Sequence, residues 1–456
     1  MRALLSILLL SPLVLVGVSS ANAQPKTASS DARVLETVRV PSASITLDGR
    51  PSEAVWDRAP VASDFTQQEP VEGGAPSQRT EIRIFHTSTH LYIGATLHYA
   101  DPGNITANRR QRDAGLGADD RLLWTLDTYN DGRTAYFFET NPEGLRGDGL
   151  LTTGQGSSIN KSWDGIWDAE VHRNSQGWTA EIRIPFRTLQ YDPTQTTWGI
   201  NFQRTIRRRN EEVLWSGYKR DQGIFRPRFA GELRGLEGLS KGLGVEVTPY
   251  GIAKANREWS RSGVETTPNV EFGGEVGYAI TPTLQSAVTI NTDFAEVESD
   301  RRRVNLTRFP LFFPEKRDFF LEASSVFTFA PSSAQYPFFS RRIGLVDGES
   351  IPILAGARLN GRVGNYNVGF FQVRTQETSG VPADSVTVPA EDFTAARVVR
   401  NFGAGGQVGL IYTRRASHAT DGQRFDRFQD RHTIGADLEL ATARLFGDKN
   451  LEFQAF

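Results

Sequence analysis

Two tryptophans, Trp163 and Trp167, stand in the stretch Ser162-Trp163-Asp164-Gly165-Ile166-Trp167-Asp168, just after a Gly/Ser-rich run at 154–160. An indole offers a flat apolar face on which the C–H side of a sugar ring can stack, while neighbouring carboxylates and amides take the hydroxyls. An apolar floor with a few convergent polar groups is the usual form of a small-ligand site. The competing reading of the pair is core packing or the frame of a structural loop, and it is the more common use of an indole. Arg112 and Asp113, in Arg109-Arg110-Gln111-Arg112-Asp113, would supply the polar rim of a sugar site. Their competing reading is a surface loop with local ion pairs, which contribute little to stability. Asp119, Asp120, Asp127 and Asp131 are rich in hard oxygens, the ligand type of Ca²⁺. Their spacing is not that of an EF-hand, and Asn130-Asp131-Gly132 already reads as a hairpin turn. Calcium on these four is the one cofactor the sequence offers.

No residue singles itself out as catalytic. Glycoside hydrolysis needs two carboxylates across the scissile bond, and no pair among the many is marked. No HExxH, GxSxG or P-loop occurs. The 456 residues hold no Cys, which removes thiolate catalysis and Cys-ligated metals. With 51 Lys+Arg against 53 Asp+Glu, the chain lacks the basic surplus of a nucleic-acid binder.

The elements that must position these residues fall into three segments. Met1-Arg2, an apolar run from Ala3 to Val18 and the exit Ala21-Asn22-Ala23 read as a secretory signal peptide, 1–23, cut before Gln24. From 34 to 238 short alternating strands are separated by turns such as Asn141-Pro142-Glu143-Gly144 and Ser175-Gln176-Gly177, the texture of a β-sandwich. Trp56, Trp178 and Trp198 read as core residues of that sandwich. From 239 to 456 the strands lengthen, and one face turns strictly apolar. Val270, Phe272, Val276, Tyr278 and Ile280 share a face, opposite Glu271, Gly273, Glu275, Gly277 and Ala279. Val408, Leu410 and Tyr412 oppose Gln407, Gly409 and Thr413. Apolar outside and polar inside over strands of about ten residues is the pattern of an antiparallel outer-membrane β-barrel. A large soluble sheet with one buried face would need a covering layer, and no amphipathic helices are present to supply one. About nine such strands can be counted, an odd number that predicts an incomplete barrel in a truncated chain. A long loop, 295–342, interrupts them. Its aromatic density predicts that it folds into the lumen or docks on the sandwich, with Glu315, Lys316, Arg317, Asp318 and Glu322 pairing with lumen groups such as Glu271 and Glu275.

At Asn291-Thr292-Asp293-Phe294-Ala295-Glu296, Phe312-Phe313-Pro314-Glu315-Lys316-Arg317-Asp318-Phe319-Phe320 and Phe338-Phe339-Ser340-Arg341-Arg342 the chain resembles the DUF5916 family of bacterial outer-membrane proteins. Upstream, Leu47-Asp48-Gly49, Arg112-Asp113, Asn141-Pro142 and Trp198-Gly199-Ile200-Asn201-Phe202 are similar to family 9 carbohydrate-binding modules. The resemblance implies an exported protein of the Gram-negative outer membrane, whose sandwich binds a poly- or oligosaccharide and whose barrel, set in outer-membrane lipid, serves as anchor or pore. Two other functions stay open. One is an enzyme hydrolysing O-glycosyl bonds in carbohydrate catabolism, with the sandwich as targeting module. The other is a transport or assembly protein whose sandwich is a plug or protein dock.

Overall fold

The computed structural model describes residues 33–41, 45–152, 158–161, 163–260, 263–292, 315–323, 326–329, 337–346, 349–378, 387–402, 406–419, 430–445 and 449–456. The signal peptide and residues 293–314, with Phe312 and Phe313, lie outside them.

Alternation with period two builds the first unit. Ile82 and Ile84, Ile182 and Ile184, and Ile200 and Phe202 all point inward and are wholly buried. Two sheets face each other across this core. One has nine strands, with the order Val34–Glu36, Gly231–Arg234, Thr197–Ile206, Arg121–Asp127, Thr134–Thr140, Arg146–Thr152 and Ser158–Asn160, and with Glu211–Leu214 and Thr66–Glu69 branching from it. The other has six, running Asp168–Asn174, Gly177–Pro185, His90–His98, Thr80–His86 and Val38–Arg39, with Val61–Ala62 beside Thr80–His86. Trp124, Trp178 and Trp198 fill the space between them. Trp56 packs instead with Phe85 and Tyr92 in a second cluster, its Nε1 donating to Glu181 Oε1 at 3.2 Å. Glu181 also accepts from the backbone N–H groups of Asp48 and Gly49, which folds the N-terminal segment onto the six-stranded sheet. Gly49 permits this approach: it has φ +82°, and a Cβ there would lie 2.5 Å from the Val171 carbonyl carbon.

The second unit is one antiparallel sheet of nine strands joined in chain order, from Val245–Ser260 to Lys449–Ala455. Among the described residues no ladder joins the first strand to the last, so this is an open wall; the odd strand count predicts an incomplete barrel, and the sheet is not closed into one. Parity disfavours closure. With nine alternating strands the first and last run the same way and cannot complete an antiparallel ladder. The sheet still wraps: residues of its first strand, such as Tyr250, and of its last, Gln454, line a single cavity.

The side-chain partition follows the alternation. Val270, Phe272, Val276, Tyr278, Ile280, Val288, Ile290, Val408, Leu410 and Ile434 stand exposed on the outer face, Phe272 at 74% and Ile434 at 79%. The inner face is mixed. Its apolar part (Ala287, Phe371, Val373, Ala395, Ile411) is covered by Phe319, Phe320, Phe327 and Phe329 from the 295–342 segment. The helix Asp318–Leu321 thus sits inside the curve, as its aromatic content predicts. The expected charge pairing holds in altered form: Arg358 bridges Glu275 and Glu322, while Arg317 pairs with Glu315 in its own segment.

The hairpin tip 128–133 of the sandwich reaches the wall. Arg133 donates to the Asn401 side chain and the Gly406 carbonyl, both at 2.8 Å, and Arg362 pairs with Asp131 at 2.7 Å.

Candidate functional site

Asp113 sits at φ 58°, a turn conformation that Asp tolerates. Its N–H donates to the Arg146 carbonyl, and its carboxylate accepts from the Asp148 N–H, both at 3.1 Å. These bonds zip the 105–120 loop onto the strand Arg146–Thr152. Arg112 is thereby aimed at Asp148. Its Nη2 donates to both Asp148 oxygens at 2.8 and 2.9 Å and to the Gly165 carbonyl at 3.0 Å. Its Nε lies 2.7 Å from Asp164 Oδ1, and Asp113 is 3.5 Å away. The Gly165 N–H donates to Asp148 in return. The Arg-Asp pair and the two-tryptophan loop, far apart in sequence, therefore meet.

Burial separates the carboxylates. Asp148 is fully buried, and that burial pushes its pKa up to about 6, against the pull of the Gly165 N–H and of Arg112. Burial raises Asp113 as well. Burial works against the Arg112 charge, but Asp148, Asp164 and Asp113 together hold its pKa above the ordinary value. The two partners shift for different reasons: one carboxylate has lost its water, while the guanidinium has three anions around it. Oxygens of Asp113, Asp148 and Asp164 lie within 4.8 Å of one another, the proximity a metal needs. Here the Arg112 guanidinium already supplies the positive charge. Asp164, mostly exposed, and the half-exposed Arg112 are the groups that can reach a ligand.

The tryptophans divide. Trp167 is 1% exposed and packs edge-on against Trp124 and Phe138, with centroids at 5.5 and 5.3 Å. It has no face to offer a sugar, and the core-packing reading replaces the stacking one. Trp163 is 7% exposed, tilted over Tyr136 at 5.1 Å, and lies on the wall of a cavity together with Asp164. It can present an edge but not a platform.

The calcium expectation on Asp119, Asp120, Asp127 and Asp131 is corrected by the geometry. Asp119-Asp120 and Asp127 stand at opposite ends of the strand Arg121–Asp127, roughly 20 Å apart. Each carboxylate is engaged locally. Asp119 accepts from the backbones of Asn108 and Arg109, Asp120 from those of Thr106 and Arg207, and Asp127 from those of Asp131 and Gly132. Asp131 caps Arg133 and pairs with Arg362. These acids are loop staples.

Asp148 and Asp164 were missed in the sequence. Asp164 lies between the two tryptophans. Asp148 carries a signal of its own in Gly147-Asp148-Gly149, since glycines inside a strand mark a close approach.

Between the sandwich and the curved wall lies a cavity of about 1360 Å³. Trp163, Asp164, Arg187 and Gln190 line it from one side, and Gln285, Asn360, Asn401, Gln407 and Glu439 from the other. Lys241, in the linker, donates to the Pro282 carbonyl at 2.8 Å, and burial pulls its pKa down to about 8.

Residues 243–355 match the family described as a domain of unknown function, DUF5916. No curated protein is similar enough to the chain to count as a match. The sandwich is similar to solved structures of a family 9 carbohydrate-binding module from Caldicellulosiruptor kristjanssonii. The complex with glucose is 16% identical with a TM-score of 0.33, covering 46% of this chain and 98% of that one. The complex with cellotriose is 16% identical with a TM-score of 0.32, covering 46% and 95%. A protein from Bacteroides uniformis aligns at 14% identity with a TM-score of 0.38, covering 45% and 99%.

Proposed function

We propose that the chain is an exported outer-membrane protein of a Gram-negative bacterium whose curved sheet faces lipid, and whose sandwich binds a poly- or oligosaccharide at Arg112, Asp113 and Asp164 beside Trp163. The observation that carries the membrane reading is the exposed outer face. Val270, Phe272, Val276, Tyr278, Ile280, Leu410 and Ile434 form a continuous apolar surface far larger than a monomer in water normally keeps. Lipid accepts such a surface, and a wet interior accepts Arg397, Asn401 and Gln407 behind it. The sugar reading is supported by the partly exposed Arg112–Asp164 ion pair, with Asp164 and the edge of Trp163 on the wall of the cavity.

Two measurements test this. Carbonate extraction of cells should leave the mature chain in the membrane pellet; release into the supernatant removes the lipid-facing wall. Glycan-array binding should be lost in Asp164→Asn, with the fold unchanged by circular dichroism; retained binding removes the site.

A second reading is favoured by one contact set. The hairpin 128–133 is anchored on the wall through Arg133 and Asp131, as a plug or dock would be. In that case single-channel conductance in planar bilayers rises in Arg133→Ala.

A further inference from the structure

On the inner face of the wall, Asn401, Gln407, Glu439 and Gln454 are direct cross-strand neighbours on four successive strands. All four line the cavity. Strands lie about 4.8 Å apart, so the row spans roughly 14 Å. Each step is comparable to the length of one pyranose unit in an extended chain.

The chemistry of the row is nearly free of unbalanced charge. Gln407 donates to Glu439 at 2.7 Å, and Glu439 faces the charge of Arg133. Arg133 spends its donors on the Asn401 amide and on the Phe402 and Gly406 carbonyls. In the adjoining row Arg397 pairs with Asp437 at 2.8 Å, lying across Gly409, where a Cβ would come within 2.5 Å of Asp437 Oδ1. Arg397 is almost wholly buried. Its Nε and Nη1, together with Asp437 Oδ1 and Asn360 Oδ1, have no hydrogen-bond partner among the described residues. Along the row itself the groups that line the cavity are the carboxamides of Asn401, Gln407 and Gln454 and the carboxylate of Glu439, whose charge faces Arg133. A hydroxyl both donates and accepts, and so matches such a set; an ionised ligand finds no uncompensated partner there.

We infer that this row is a second saccharide site, a rail along which a neutral oligosaccharide chain lies across the inner face of the wall. The inference rests on the reading of the chain as a saccharide-binding membrane protein, and extends it to a ligand several sugar units long and uncharged. Two hydrogen bonds removed from such a rail weaken binding roughly tenfold.

The test uses the full chain in detergent, titrated calorimetrically with neutral gluco-oligosaccharides from disaccharide to hexasaccharide and with an oligogalacturonate of matched length. Affinity should rise with chain length, and the neutral series should bind better than the charged one. Gln407→Ala combined with Gln454→Ala should flatten the length dependence, lowering hexasaccharide affinity about tenfold. Gln407→Asn, which keeps the amide, should restore part of it, and circular dichroism checks that each variant folds. A wild-type affinity independent of length overturns the rail. So does a length dependence that survives in the double variant, or equal binding of the oligogalacturonate. Disaccharide binding and its loss in Asp164→Asn belong to the sandwich site, so the rail can fail while that site stands.

Discussion

The sandwich and the curved wall are written with the same period of two and are built inside out relative to each other. In the sandwich the apolar alternates, Ile82, Ile84, Ile200 and Phe202, face a partner sheet and vanish from the surface. In the wall the apolar alternates, Val270, Phe272, Val276 and Leu410, face outward and stand exposed among the described residues. Alternation fixes which side chains share a face; the medium against that face decides where it points. One region makes its own dry interior, and the other takes its dry surroundings from outside.

That contrast can be broken deliberately, most strongly in the sandwich. Trp124→Ala removes the ring stacked on Phe138 and edge-on to Trp167 and should cost about 3–5 kcal/mol, read as a lower denaturant midpoint for the sandwich. On the wall, Phe272→Arg should cost about 2–4 kcal/mol in bilayer if the site lies near the midplane. The same variant should be close to neutral in the stability of the sandwich. A variant equally stable in vesicles and in lipid-free buffer would contradict a lipid-facing wall.

The buried acid of the sandwich gives a third handle. Asp148 is raised from 3.8 to about 6 by burial, so its neutral form is favoured in the folded chain. Its contribution is therefore present below pH 4 and is lost as pH rises through about 6. Chemical denaturation between these values should show stability falling by on the order of 2–3 kcal/mol. Asp148→Asn should abolish that slope. The smallest expected effect lies where the two regions meet. Arg133→Ala removes the bonds to Asn401 and Gly406 and should cost about 1–2 kcal/mol. It should bring the unfolding transitions of sandwich and wall further apart in calorimetry.

Much of the architecture is legible in the sequence because it rests on local alternation. The strands around Ile82, Ile182 and Ile200 and the outward face of Val270–Ile280 follow directly from it. Closure is not local: whether edge strands meet depends on strand number and direction over the whole sheet. The site was half legible. Arg112 and Asp113 were singled out, and the structure joins them to the Trp163 loop. Asp148 carries only the faint signal of its flanking glycines, because its role comes from burial under a loop distant in sequence. The four aspartates from 119 to 131 misled for the converse reason. Neighbours along an extended strand are carried apart by it, and each was already committed to backbone N–H groups. Trp167 shows the limit of residue type alone, since an indole that stacks on sugar and one that fills a core are the same side chain in different company. Phe370 and Phe371 make the point within two residues: one looks outward, and the other lies beneath Phe319, Phe320 and Phe327.

Phe319, Phe320 and Phe327 cover Phe371 on the inner face of the wall, while Asn401, Gln407, Glu439 and Gln454 line the cavity farther along the same sheet. A dissolved molecule resting on that stretch of the cavity meets carboxamides, groups that both donate and accept, where the neighbouring strands are roofed by rings.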